Sequence, residues 1–142
     1  MILLDTNVVS EPMRAHPDPK VLAWLDSQLA ETLYLTATSL AELLVGIELL
    51  PTGKRRERLR VSLSDLIHDI FDSRVLPFDS VAAIRYASII SRARASGTVL
   101  SVADAQIAAI ASVNSFAVAT RDTAPFVASG IPVINPWIES AT

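Results

Sequence analysis

Four acidic residues of this chain sit where ordinary surface acids do not. They are Asp5 in "MILLDTN", Glu42 in "TSLAEL", Asp104 in "LSVADAQ" and Asp122 in "ATRD". Asp5 ends an unbroken apolar run and Asp122 lies just beyond another. Glu42 and Asp104 each open an apolar helix, in its first turn, among small or aliphatic neighbours. Gathered carboxylates repel one another by about 1 kcal/mol per pair at 4 Å in water, and by more when desolvated, so a cluster of them implies a cation. The chain has no cysteine and only two histidines, which lack metal-binding spacing. Hard oxygen ligands of this kind point to Mg²⁺, with Mn²⁺ as the alternative. Mg²⁺ is commonly shared between carboxylates and substrate phosphates, so the chemistry that follows is phosphodiester hydrolysis. Each acid also has a plain structural explanation. Ser39-x-x-Glu42 and Ser101-x-x-Asp104 match capping boxes. Asp5 could cap the segment after its strand, and Asp122 could close an Asx-turn.

The elements that would bring the four together can be read from the hydrophobic pattern. Residues 2–5 form a buried strand, with an apolar run suited to a parallel sheet covered on both faces. Asp18 and Pro19 start a helix in which Val21, Leu22, Leu25 and Leu29 recur at helical spacing. A strand over 32–37 leads into a helix over 38–50, stopped by Pro51. A long amphipathic helix spans 53–71, a strand 74–78, and a helix capped by Asp79 runs to Gly97. A helix over 101–114, a strand over 116–120, a loop with a short helical turn and a last strand over 132–136 complete the chain. Strands alternating with helices predict an α/β layer fold with a mainly parallel sheet. Ligands bind such sheets outside the carboxyl ends of the strands. Two of the acids follow strands and two begin helices, so all four can face that one edge.

Composition excludes several functions. The sequence has 142 residues, which fits one domain, and 51% hydrophobic residues, which is a globular composition. The lack of cysteine removes disulfides, zinc-thiolate sites and thiol nucleophiles, and suits a cytoplasmic protein. No secretory signal and no apolar run of membrane-spanning length is present, so no membrane partner is expected. Phosphate-binding glycine motifs and a Ser/His/Asp arrangement are absent as well.

The ordered set "LLDTN", "SLAEL", "VADAQIAAIA" and "VATRDTAPF…INPW" resembles the PIN-domain family. More narrowly it is similar to the VapC-type toxins of toxin–antitoxin pairs, in their FitB-like branch, over essentially the whole chain. The resemblance implies a single PIN-like nuclease domain over residues 1–142, a three-layer α/β/α fold with about five strands. It implies a Mg²⁺-dependent endoribonuclease with Asp5, Glu42, Asp104 and Asp122 as the catalytic and metal-binding acids. Asn7 would support the first carboxylate, and Thr120 matches a small hydroxyl before the last acid. The implied partners are a cognate antitoxin, an RNA substrate of the transfer or ribosomal class, and a second copy of the chain in a homodimer. A higher assembly with the antitoxin would reach operator DNA only through the antitoxin.

The formal net charge of −3 does not exclude RNA. Without the four acids, 12 bases face 11 acids, a balance of +1. "KRRERLR" (54–60) offers Lys54, Arg55 and Arg58 to a phosphate backbone, although local pairing with Glu57 would explain the same run. Arg121 adjoins Asp122 and is better placed. The competing reading is a non-catalytic PIN-like binding protein in a DNA-binding regulatory complex, which would be expected to have lost an acid. A haloacid dehalogenase-type phosphotransferase would want an Asp where Asn7 stands.

Overall fold

The computed structural model describes residues 1–138. Among them, five short strands alternate with helices in the order β1 (Ile2–Leu4), α1 (Thr6–Ser10), α2 (Pro19–Asp26), β2 (Leu33–Thr36), α3 (Ala37–Glu48), α4 (Lys54–Leu66), β3 (Val75–Leu76), α5 (Ser80–Ala95), α6 (Val102–Asn114), β4 (Ala117–Ala119), α7 (Ala124–Ala128) and β5 (Val133–Ile134). The sheet order is β3-β2-β1-β4-β5, and every neighbouring pair is parallel. From β1 the chain first builds outward through β2 and β3. It then returns to the other side of β1 to lay down β4 and β5. The topological switch point therefore falls between β1 and β4, where open parallel sheets form a crevice for ligands.

The strand periodicity of two separates the core into two layers. Leu4 packs with Val21, Trp24, Leu35, Leu43, Leu63 and Phe71 under α1 to α4. Its neighbour Leu3 faces the other way, into Ile107, Ala108, Val118 and Phe126 under α5 to α7. This gives the expected helix–sheet–helix sandwich. Small residues make the second layer tight. Ala105, Ala108, Ala109 and Ala111 of α6 are fully buried, which lets α6 lie close to the sheet and to α5.

Local signals explain the boundaries. Asp18 accepts from Lys20 N–H at 2.8 Å and caps α2, with Pro19 in its first turn. Asp79 accepts from Ala82 N–H at 2.9 Å and caps α5. Gly97, at φ 77°, closes α5 with Thr98 N–H donating to Ala93 O at 2.8 Å and Gly97 N–H to Arg94 O at 3.0 Å, the paired bonds of a Schellman stop. Several details differ from the sequence expectation, among them α1, which was not expected, and the end of α2 at Asp26, which leaves Leu29 outside the helix and exposed. The helix from residue 53 is α-helical only to Leu66 and continues as a wide π-type turn over Ile67–Phe71. And α3 starts at Ala37, capped by Thr36, whose Oγ1 accepts from Ser39 N–H at 2.9 Å. Ser39 is thus inside the helix, the Ser39–Glu42 capping box does not form, and Glu42 stands in the second turn rather than the first. No helix among the described residues is long and apolar enough to cross a membrane.

Candidate active site at the switch point of the sheet

Asp5 is the residue immediately after β1, and its backbone N–H bonds Ala119 O of β4 at 2.9 Å, so it stands between the two strands of the switch point. Its carboxylate is 7% exposed, and both of its oxygens are bonded. Oδ1 accepts from Thr6 N–H at 2.8 Å and caps α1. Oδ2 accepts from the Thr120 hydroxyl at 2.8 Å. The carboxylate thus caps α1 and meets Thr120 across the switch point at once.

Thr120 follows β4 and is fully buried. With its single proton directed at Asp5, its oxygen accepts from Asp122 N–H at 3.1 Å and from Asn7 Nδ2 at 3.4 Å. Asn7 completes the link by accepting from Arg121 N–H at 3.2 Å through Oδ1. One side-chain hydroxyl and one amide therefore fix the loop after β4 onto the start of α1.

Glu42 and Asp104 arrive from α3 and α6. Burial drives the Asp5 carboxyl above its ordinary value. The bonds from Thr120 and from the Thr6 backbone oppose that rise, and the negative charges of Asp104 and Glu42 reinforce it. The Glu42 carboxylate is exposed and accepts from the Thr6 hydroxyl at 3.0 Å. Asp104 is half-buried, and its backbone N–H is capped by Ser101 Oγ at 3.1 Å, leaving its carboxylate available. Thr38 Oγ1 donates to Gln106 Oε1 at 2.9 Å and ties the start of α3 to α6, so the two helices that carry Glu42 and Asp104 are braced together. Asp122 enters differently. Its backbone joins Thr120, while its exposed carboxylate makes no hydrogen bond among the described residues.

Of the cations, Arg121 is exposed and its guanidinium lies 5.2 Å over the Trp137 ring. Lys54, Arg55 and Arg58 are exposed at the start of α4. In the same run Arg56 and Arg60 each reach Glu48 at 2.7 Å, and Arg60 also pairs with Glu57 at 2.8 Å. Part of the charge of that run is thus neutralised locally. His16 and His68 are both exposed, and His68 sits beside Asp69.

Sequence reasoning missed Thr6 as the partner of Glu42. The signal was a hydroxyl lying between Asp5 and Asn7 in "LLDTN". It also missed the Glu11–Arg14 pair, for which the acid–base spacing of three in "SEPMR" was the available sign.

The PIN domain family model matches residues 2–128. The plasmid stability protein StbB of Pseudomonas syringae pv. tomato is 53% identical over 137 residues, covering 96% of this chain and 99% of that protein. The VapC ribonuclease Y4jK of Sinorhizobium fredii is 50% identical over 96% of this chain and 98% of its own length. Toxin FitB of Neisseria gonorrhoeae is 48% identical over 96% and 99%. The crystal structure of FitAcB from Neisseria gonorrhoeae superposes with a TM-score of 0.94 at 47% identity, covering 98% of this chain and 100% of that one. With the fold, the switch-point carboxylates and full-length similarity in agreement, the chain belongs to the PIN-domain family, as a near relative of the VapC and FitB proteins.

Proposed function

We propose that this protein is the toxin of a toxin–antitoxin pair and acts as a Mg²⁺-dependent endoribonuclease. The observation that carries the reading is the position of Asp5 at the sheet's switch point, with Glu42 bonded to the adjoining Thr6, Asp104 on the helix braced to that of Glu42, and Asp122 tied to Asp5 through Thr120. Similarity to a named VapC ribonuclease, to a named toxin and to a FitAcB structure supports the toxin assignment and the antitoxin partner.

The donor set suits a hard divalent ion. No group of three or more His, Cys, Asp or Glu side chains among the described residues is gathered closely enough to hold a metal alone. Mg²⁺ does not require such a cage, because it binds through one or two carboxylates and completes its shell with water and substrate phosphate. Asp5 and Asp104 would hold the ion, with Glu42 and Asp122 contributing directly or through water, and Mn²⁺ could replace it. When bound, the cation supplies charge stabilisation for the phosphoryl oxygens and lowers the pKa of an attacking water.

The chain's own residues account for the rest. The Thr120 hydroxyl and the Thr6 N–H hold the Asp5 carboxylate in one orientation. The Thr6 side chain does the same for Glu42. Preorganised groups of this kind do not need to reorganise as charge develops on the phosphate. Glu42, being exposed beside the crevice, is the acid best able to accept a proton from the water. Arg121, Lys54, Arg55 and Arg58 would meet the RNA backbone.

Apolar side chains left exposed, Leu44 and Val45 on α3, Leu49 just after it, and Val81 and Ile84 on α5, would supply the surface for a homodimer and for the antitoxin. DNA would be contacted only through the antitoxin. Induced expression in a host without the antitoxin tests the reading. The wild type arrests growth and produces new RNA 5′ ends, and Asp104→Asn does neither. Arrest by both proteins, with no new RNA ends, would reject it.

A further inference from the structure

A polar pocket takes in Arg121, from the loop that carries Asp122, and its other lining residues are used by none of the steps above. It measures about 390 Å³ and is lined by Glu11, Arg14, His16, Asp18, Arg121 and Trp137 among others. That volume lies within the roughly 300–1,000 Å³ typical of small-ligand sites. Two of its walls are guanidinium groups, and each is held in advance by a buried partner.

Glu11 lies in the 3-10 turn directly after α1 and is only 2% exposed. Its side-chain partner among the described residues is Arg14, whose Nη1 stands 2.9 Å and 3.3 Å from the two carboxylate oxygens. A buried carboxylate is strongly disfavoured without a cation, so Glu11 fixes where Arg14 sits. Because Nη1 makes both bonds, Nη2 and Nε have no hydrogen-bond partner among the described residues, on a side chain that is 62% exposed. Arg121 is held by other means, with its guanidinium over the buried ring of Trp137. A cation–π contact draws on the guanidinium charge and takes up no carboxylate or carbonyl acceptor. The backbone of Arg121 is bonded to Asn7, and Arg121 stands between Thr120 and Asp122, so this wall of the pocket belongs to the loop that carries Asp122.

Planar guanidinium forks match phosphate oxygens, and groups ordered beforehand lose little further entropy on binding. Glu11 is already neutralised by Arg14, and Asp18 directs Oδ1 to the Lys20 N–H at the start of α2. The cations of α4 make a weaker candidate. Arg56 and Arg60 are engaged with Glu48, and Lys54, Arg55 and Arg58 are exposed with no side-chain hydrogen bond or ion pair among the described residues to order them beforehand.

We propose that Arg14 and Arg121 form a subsite for an RNA phosphate neighbouring the one hydrolysed at the acids, with Glu11 and Trp137 as the residues that position them. The subsite rests on the nuclease reading and sets the direction in which the strand crosses the crevice, from the acids towards α2.

The test measures binding without cleavage. The full chain carrying Asp104→Asn is titrated in Mg²⁺ with a labelled single-stranded RNA of about 12 nucleotides, within the span of single-strand sites. The titration is repeated over a range of salt. Arg14→Gln and Arg121→Gln, each on that background, should weaken binding several-fold and lower the salt slope by about 0.7 per lost phosphate contact. Arg14→Lys and Arg121→Lys keep the charge and should retain most of the slope while losing affinity, which separates charge from misfolding. Unchanged affinity and slope in both Gln variants would overturn the subsite and leave the nuclease reading standing. So would a loss seen instead in a Lys54/Arg55/Arg58 triple variant. A parent protein that binds no RNA under any condition would remove the nuclease reading, and the subsite with it. Arginine variants that bind RNA normally and fail to bind the antitoxin would reassign the pocket to protein recognition.

Discussion

The Thr120 hydroxyl donates a hydrogen bond to Asp5 Oδ2 at 2.8 Å. The two residues are 115 positions apart in sequence, yet they are adjacent because β1 and β4 pair in parallel across the point where the sheet changes direction. Everything else at the site is referred to this contact, including the backbone of Asp122 and the amide of Asn7.

Removing that hydroxyl should therefore weaken the site without emptying it of acids. Thr120→Val leaves a buried carboxylate oxygen unsatisfied, at a cost of about 1–3 kcal/mol in stability. Supporting residues of metal sites typically contribute about 10–100-fold to affinity or activity. Metal titration and cleavage kinetics should show a loss in that range for Thr120→Val, and Thr120→Ser should restore most of it. Equal losses in both would show that the hydroxyl does not act by this bond.

Thr6 provides an independent check at the second acid. Its side chain holds Glu42 at 3.0 Å, while its backbone N–H serves Asp5. Thr6→Val keeps the backbone bond and removes only the side-chain one. The expected result is a fall in kcat of about tenfold, within the range for supporting residues. Thermal stability should scarcely move, because the bond is exposed. Thr6→Ser should behave as wild type.

Asp5 also makes stability depend on pH. Burial first, and the charges of Asp104 and Glu42 after it, raise its carboxyl above the ordinary value. A raised folded-state pKa means that folding takes up a proton between the unfolded and folded values. The contribution is complete below the ordinary aspartate range and is lost as pH rises through the raised value. In chelator, Tm should fall across that window, and Asp5→Asn should flatten the profile. Mn²⁺ at a hundredfold excess over its Kd should add about 2.7 kcal/mol to the wild type and nothing to the variant. A rise in Tm across the same window would reverse the sign and contradict the assignment.

The close packing of α6 is a separate claim about the scaffold. Ala109 is fully buried in the layer between α6, α5 and the sheet. Ala109→Leu overpacks that layer and should cost about 1–3 kcal/mol. A Tm lowered by several degrees would be the sign. A neutral effect would mean that α6 can move outward, and that Asp104 is less firmly placed than its helix suggests.

Much of this was legible in the sequence because local chemistry and global fold agree. The apolar run before Asp5, the cap-and-proline pair Asp18–Pro19 and the stop at Gly97 each determine their own element. The alternation of strands with helices was enough to infer a parallel sheet, and the acids after strands pointed to its carboxyl edge, where Asp5 and Asp122 stand. What was not legible depended on register and long-range pairing. Thr36 rather than Ser39 caps α3, because the strand ends one residue short of the predicted point and the helix begins without a loop. The contact between Thr6 and Glu42 spans 36 positions, and that between Thr38 and Gln106 spans 68. No periodicity reports such pairs. Glu11 looked like an ordinary acid beside a proline, and only burial reveals that it anchors Arg14. The π-type turn after Leu66 left no pattern distinct from helix.

The most direct measurement is RNA cleavage by the purified, antitoxin-free chain. Wild type and Asp104→Asn would be compared with transfer and ribosomal RNA in Mg²⁺, in Mn²⁺ and in excess chelator. The account predicts discrete fragments from the wild type in either metal, none in chelator and none from the variant. Equal fragments from both proteins, or cleavage that persists in chelator, would contradict an acidic metal site at the switch point.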